Sequence, residues 1–331
     1  MSDAAYDVLA IGNAIVDVLA QTEEAFLTRE GLAKGAMTLI DAEQAAALYN
    51  RMPPGIEMSG GSAGNTAAGV AALGGRAAYI GKVRDDQLGQ IFAHDLKALG
   101  VAFPVVPALD GPATARCLIF VTPDAQRTMQ TYLGACVGLT PDDVNPDAVA
   151  RAAITYLEGY LWDPPAAKEA FLKAARAAHD AGRQVALTLS DAFCVDRHRA
   201  SFRDLVAGHV DVLFANESEI LSLYQTGNFD DALQAVRGDC RLAFLTRSEK
   251  GSVIVTPDEV HVIDPWPVAR VVDTTGAGDL YAAGALYGIA RGLPLGQTGR
   301  IASAAAAEVI GHYGARPEAD LKAMADQAMK G

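Results

Sequence analysis

The chain has 331 residues, half of them hydrophobic and 20% charged, which suits a large folded core and excludes a disordered or fibrous chain. Its formal net charge of −13 repels phosphate backbones and anionic lipid, which argues against nucleic acid and membrane partners. Small anions such as nucleotides stay possible, because a local pocket can oppose the global field.

The first residues, Met1 to Asp7, have neither the positive region nor the apolar run of a signal peptide, so a cytoplasmic protein is expected. Val8–Gly12 then reads as a buried strand, and Tyr79–Val83, Ile154–Leu157, Val185–Leu189, Val212–Ala215 and Leu242–Thr246 read alike. Between the strands lie helix signals. Asp85 is placed to cap a helix with Leu88, Ile91, Phe92, Leu96 and Leu99 on one face and Gly100 at its end. This alternation predicts an α/β fold: βαβ crossovers, a mostly parallel central sheet and helices on both faces. Residues 15–40 and 112–134 break the rhythm and read as antiparallel strands of a small second sheet covering the main one. No linker or repeat divides the chain, so residues 1–331 are expected to form one α/β domain with those two segments as its lid. Ala302–Ala307, the most apolar stretch, is short and closed by Glu308, which suits a packed helix and not a membrane span. Cys117, Cys136, Cys194 and Cys240 form no C-x-x-C pair and read as buried thiols of a reduced protein. Cys194 with His198 lacks the second pair that a metal site needs.

The sharpest motif is Asp273-Thr274-Thr275-Gly276-Ala277-Gly278-Asp279, with Val271 and Val272 read as the tail of a strand before it and an alanine-rich helix after it. A glycine loop opening a helix points backbone N–H groups at an anion, and small residues let a phosphate approach. Asp279 is a carboxylate where phosphate is expected. Phosphoryl transfer gives it a task, accepting the proton of the attacking hydroxyl. The plain structural alternative is a helix cap. Neither G-x-x-x-x-G-K-[ST] nor a helix-opening G-x-G-x-x-G follows the first strand, so P-loop enzymes and dinucleotide dehydrogenases lose their main support. A second cluster, Ser59-Gly60-Gly61-Ser62-Ala63-Gly64-Asn65-Thr66, precedes a helix ending at Leu73 and stopped by Gly74-Gly75. It reads either as a site for a hydroxyl-rich ligand or as a flexible turn.

The two clusters together resemble the ribokinase-like (PfkB) family of carbohydrate and nucleoside kinases over nearly the whole chain, although Arg84 stands where that family usually has glycine. The resemblance implies an ATP-dependent kinase using Mg²⁺ and K⁺. It makes Asp279 the base and the N–H groups of Gly276, Ala277 and Gly278 an anion hole. It implies that Asn13, Asp17, Gly60, Gly61 and Asn65 bind the acceptor hydroxyls. Asn216 and Glu219 match an N-x-x-E element that orders the Mg²⁺ water shell, and they also read as a capping box. Arg127 would meet the γ-phosphate from the lid, while Thr246, Ser248 and Gly251 lie beside the nucleotide. Asp273 and Thr275 would contribute to a K⁺ site.

Within the family the chain leans toward adenosine kinases, through Gly12-Asn13-x-x-x-Asp17 and Arg127-Thr128-Met129-Gln130-Thr131-Tyr132-Leu133-Gly134-Ala135. Ile15, Leu133, Tyr160 and Leu161 would enclose the purine. Phosphorylation of adenosine to AMP is the leading expectation. A sugar kinase acting on ribose, fructose or a keto-sugar acid is the second, and a nucleotide- or sugar-responsive binding protein the third. A monomer or homodimer is expected.

Overall fold

The strand from Tyr6 to Ile11 (β1) is buried from Asp7 onward, because parallel neighbours flank it and helices cover both faces. The computed structural model describes residues 4–124 and 126–330. The other strands are β2 (Ile15–Gln21), β3 (Met37–Leu39), β4 (Ile56–Ser59), β5 (Ala77–Ile80), β6 (Val101–Ala102), β7 (Ala115–Val121) and β8 (Arg127–Tyr132). They continue with β9 (Ala152–Glu158), β10 (Gln184–Thr188), β11 (Val212–Asn216), β12 (Leu242–Thr246), β13 (Ser252–Val255) and β14 (Val260–Ile263). Each of the six expected strands is present within three residues of its predicted bounds, the widest difference being at β5, which ends at Ile80 and not Val83.

The main sheet runs β14-β13-β12-β11-β10-β9-β1-β5-β6, parallel except where β13 pairs with β12 and β14. The chain leaves β1 toward β5 on one side and returns to β9 on the other. That reversal opens a crevice beyond the carboxyl ends of β1 and β9. The core lies in two layers. One packs the sheet against helices Ser62–Ala72, Ala277–Ala290 and Leu295–Val309; the other packs it against Pro165–Asp180 and its neighbours.

The second sheet runs β3-β8-β7-β2-β4. It is mixed and not antiparallel as expected: β2 pairs parallel with β7, and β3 parallel with β8. β7 reaches β2 after a long crossover through the main sheet, which lets the two run in the same direction. Three other expectations need correction. β4 was not anticipated. Asp86, not Asp85, caps the helix Gln87–Ala98, its side chain accepting from the Gly89 N–H at 2.9 Å. Val271 and Val272 form no strand, since only Val272 makes a backbone bond there, to Ile310, and Val271 is exposed.

Helix Ala277–Ala290 crosses Leu295–Val309 closely enough that a Cβ on Gly284 would lie 2.6 Å from the Ala302 Cα. Gly284→Val must force the helices apart, at a cost of roughly 1–3 kcal/mol. Urea denaturation should show the loss, and an unchanged midpoint would refute this packing.

Candidate active site

Helix Ala277–Ala290 begins at Gly276, whose φ of +80° and closeness to Ala315 suit glycine. Asp279 thereby falls in the first turn, among N–H groups without intrahelical partners. The Ala277 N–H is already spent on the Thr274 carbonyl at 3.2 Å, so the candidate anion hole rests on the remaining N–H groups of the turn. The Asp279 carboxylate crosses to the neighbouring helix Ser62–Ala72. Oδ1 accepts from the Ser62 hydroxyl at 2.6 Å and Oδ2 from the Asn65 amide at 2.8 Å. Burial pushes its carboxyl above the ordinary carboxylate value, opposed by those two bonds and by the nearby Arg316 charge. A bare helix cap does not need partners on a second helix. Asn65, expected to meet the acceptor, donates its amide to Asp279.

Asp17 lies on β2 against the second glycine cluster. A Cβ on Gly60 would collide with its carboxylate, and one on Gly61 (φ +81°) with the Asn13 carbonyl. Burial raises the Asp17 carboxyl to about 6, against the pull of Arg316 and Arg127. Asn13, at the carboxyl end of β1, donates from Nδ2 to Glu158 Oε1 at 2.7 Å. Its Oδ1 is buried without a donor among the described residues, which suits an incoming hydroxyl. Glu158 ends β9, is 1% exposed, and also accepts from the Ala63 N–H at 2.8 Å. Burial lifts it to about 7.

Asn216 and Glu219 form the capping box: the Asn216 N–H and Nδ2 donate to the two Glu219 oxygens at 2.9 and 2.6 Å. With both oxygens occupied, the pair fits a divalent ion held through water and phosphate oxygens and not direct ligation. Among the described residues no group of three or more His, Cys, Asp or Glu could hold a metal. Thr246 ends β12 next to Asn216. Ser248 has φ +52°, a region that favours glycine, and Gly251 has φ +77°.

Arg127 is 8% exposed and pairs with Asp273, Nη2 to Oδ2 at 2.7 Å, so it is neither a solvated arginine nor free for phosphate in this arrangement. Asp273 Oδ1 takes the Thr275 N–H and hydroxyl at 3.0 and 2.7 Å, and Oδ2 also takes the Gly314 N–H at 3.1 Å. No Asp273 oxygen is left for K⁺, and these residues do not fit that ion while Arg127 holds its place.

Ile15 and Leu133 are half-buried and Tyr160 is 41% exposed, its N–H donating to Ser190 Oγ at 3.1 Å. Desolvation, with Asp191 and Asp279 close by, pushes the Tyr160 hydroxyl upward. Leu161 lies wholly in the core and leaves the expected purine wall. Three contributors were missed. Ser62 stood inside a quoted motif, whereas Glu158 and Arg316 follow no spacing that marks them.

A model of pfkB family carbohydrate kinases matches residues 50–321. The chain belongs to that family. It is 56% identical to adenosine kinase from Sinorhizobium meliloti, with TM-score 0.90, covering 98% of this chain and 100% of the other. It is 53% identical to a probable sugar kinase protein from Rhizobium etli CFN 42, also at TM-score 0.90, covering 98% and 99%. Probable fructokinase-4 from Arabidopsis thaliana is 29% identical over 71% of this chain and 74% of its own. This pfkB member is therefore a nucleoside or sugar kinase with an adenosine-kinase-like chain, and its family uses ATP. Among the described residues no helix is long and apolar enough to cross a membrane.

The buried carboxylates give a pH prediction. Folded Glu158 titrates near about 7 against 4.5 ordinarily, so between those values the folded state keeps a proton that the unfolded chain has lost. Stability should fall as pH rises through that window, with Asp17 and Glu219 acting in the same direction. The melting temperature should rise on going from pH 8 to 6, and Glu158→Gln should flatten about 1 kcal/mol of that dependence. An equally steep profile in the variant would sink the assignment.

Proposed function

We propose that this kinase transfers the γ-phosphoryl of ATP to a hydroxyl of adenosine, giving AMP and ADP. The choice of acceptor is supported by the 56% identity, over essentially both chains, to the Sinorhizobium meliloti adenosine kinase. The chemistry is supported by the buried Asp279, oriented from a second helix at a helix N-terminus, with Asp17 close by. Asn13, Asp17 and the Gly60-Gly61 turn bind the acceptor hydroxyls, while Ile15, Leu133 and Tyr160 face the base.

Transfer is in-line. The acceptor oxygen bonds to the γ-phosphorus as the bond to the bridging oxygen breaks, and Asp279 takes the hydroxyl proton. The N–H groups of the Gly276–Asp279 turn other than that of Ala277 face the charge that develops on the phosphoryl oxygens. Mg²⁺ supplies charge neutralisation on the phosphates when bound, with Asn216 and Glu219 ordering its water. Thr246, Ser248 and Gly251 border the nucleotide. Residues 15–40 and 112–134 form the lid of one kinase unit and exclude water on closing. The enzyme acts in the cytoplasm as a monomer, or as a homodimer through the exposed apolar side chains of Met37, Leu39 and Ile56 at the edges of the small sheet.

A sugar acceptor is the second reading, favoured by the Rhizobium etli and Arabidopsis relatives. ADP release with Mg-ATP decides between them, using adenosine, inosine, guanosine, ribose, fructose and 2-keto-3-deoxygluconate. Adenosine should exceed every sugar by at least ~10²-fold in kcat/KM, a gap that buried polar recognition supplies. Turnover with a sugar alone refutes the nucleoside reading. Asp279→Asn should lower kcat at least ~10²-fold with a modest change in KM. Near-normal turnover would remove Asp279 from the base role.

A further inference from the structure

Arg316 lies in a glycine-containing segment after the helix Leu295–Val309, in no motif that the proposed mechanism uses. Its guanidinium is a two-pronged clasp. Nη1 donates to the Gly64 carbonyl at 2.7 Å, and Nη2 donates to the Ser59 carbonyl at 2.7 Å and the Ser59 hydroxyl at 3.1 Å. Ser59 is gripped from the other side too, its N–H donating to Asp95 at 2.8 Å. The two carbonyls bracket the glycine cluster. Ser59 precedes Gly60, against which the Asp17 carboxylate packs; Gly64 precedes Asn65 and follows Ser62 and Ala63. Ser62 and Asn65 are the donors that aim Asp279. One cation thus braces the backbone supporting both the acceptor clamp and the base.

We infer that Arg316 is the positioning residue that joins acceptor binding to proton removal in this kinase. Its fork fixes the Ser59–Gly64 turn, and its charge faces the two carboxylates that the turn presents. The groups around it are Asp17 on β2, Asp279 on the helix Ala277–Ala290, Asp95 on the helix Gln87–Ala98 and Tyr79 on β5. Among the described residues Arg316 is the cation whose charge acts on Asp279, and the other neighbours, Asp17, Tyr156, Glu158 and Tyr160, supply no positive charge. Loss of Arg316 must therefore make Asp279 harder to ionise, which moves the acid limb of the rate profile to higher pH.

The test compares Arg316→Gln, which removes the charge, with Arg316→Lys, which keeps the charge and loses the fork. With the best acceptor from the ADP-release screen, Arg316→Gln should lower kcat at least ~10-fold and raise the acid limb of kcat/KM by about 1 pH unit. Arg316→Lys should lower kcat with the limb unmoved. A brace without an electrostatic role would leave the limb of the Gln variant on the wild-type curve, and that result overturns the inference. If the Gln variant fails to fold, wild-type turnover in Arg316→Lys overturns it and lowered turnover with an unmoved limb supports it. Carboxyl ¹³C NMR titration of Asp279 reads the same displacement without turnover, so a wrong acceptor assignment leaves this test intact.

Discussion

The site is organised around three buried carboxylates, Asp17, Glu158 and Asp279, the last near enough to raise the proton affinity of the other two. Ionised carboxylates out of water are costly unless donors reach them. Each is met differently. Asp279 takes a hydroxyl and an amide from one helix, Glu158 takes two N–H groups and an amide from the β1 and Ser62 ends, and Asp17 leans on glycine with two arginines in reach. Several glycines then have their explanation, since Gly12 and Gly60 lack side chains because Glu158 and Asp17 occupy that space. The carboxylates shape the backbone as much as the backbone positions them.

Both sheets depend on this arrangement. The crevice at the β1–β9 reversal receives Asn13 and Glu158 from the main sheet, while Asp17 and Arg127 arrive from the small one. Neither sheet carries a complete set of groups. The glycine loop completes the set at the start of the helix Ala277–Ala290, where α-helical geometry leaves N–H groups free.

Much of the fold was readable from the order of apolar runs, because buried parallel strands are continuous hydrophobic segments and the helices between them carry caps and stops. Leu242–Thr246 matches its strand end for end, whereas the helix expected after Thr66 opens earlier, at Ser62, inside the glycine cluster. Strand direction in the small sheet was not readable. Alternation tells which face a residue occupies but says nothing of the partner's direction, and the β2–β7 pairing spans a hundred residues. Val271-Val272 misled for a related reason, since a β-branched pair makes a strand only where a neighbour accepts its bonds. Site residues within glycine motifs were recoverable because the motif carries its own geometry. Glu158 and Arg316 were not, since a lone charge at a strand end or in a loop looks like a solvated one until tertiary structure buries it. Asp273 was read as a K⁺ contributor, and its pairing with Arg127 could not be foreseen, as it joins segments far apart in the chain.

The short connection between β1 and β2 has a mechanical side. Only Gly12, Asn13 and Ala14 join the two sheets there, and Glu158 ties this link to β9. A rocking of the small sheet would turn at these residues and at Gly60-Gly61, the link from β4 into the helix Ser62–Ala72. Asp17, three residues along β2, stands roughly 10 Å from the fulcrum, and Gln21, seven along, roughly 23 Å. Arg127 pairs with Val121, which pairs with Gln21, so its strand position is at the long end of the lever. For a given rotation the acceptor clamp travels least and the tip most. Under the proposed closing motion the Arg127–Asp273 contact would act far from this link, toward the rim of the cover.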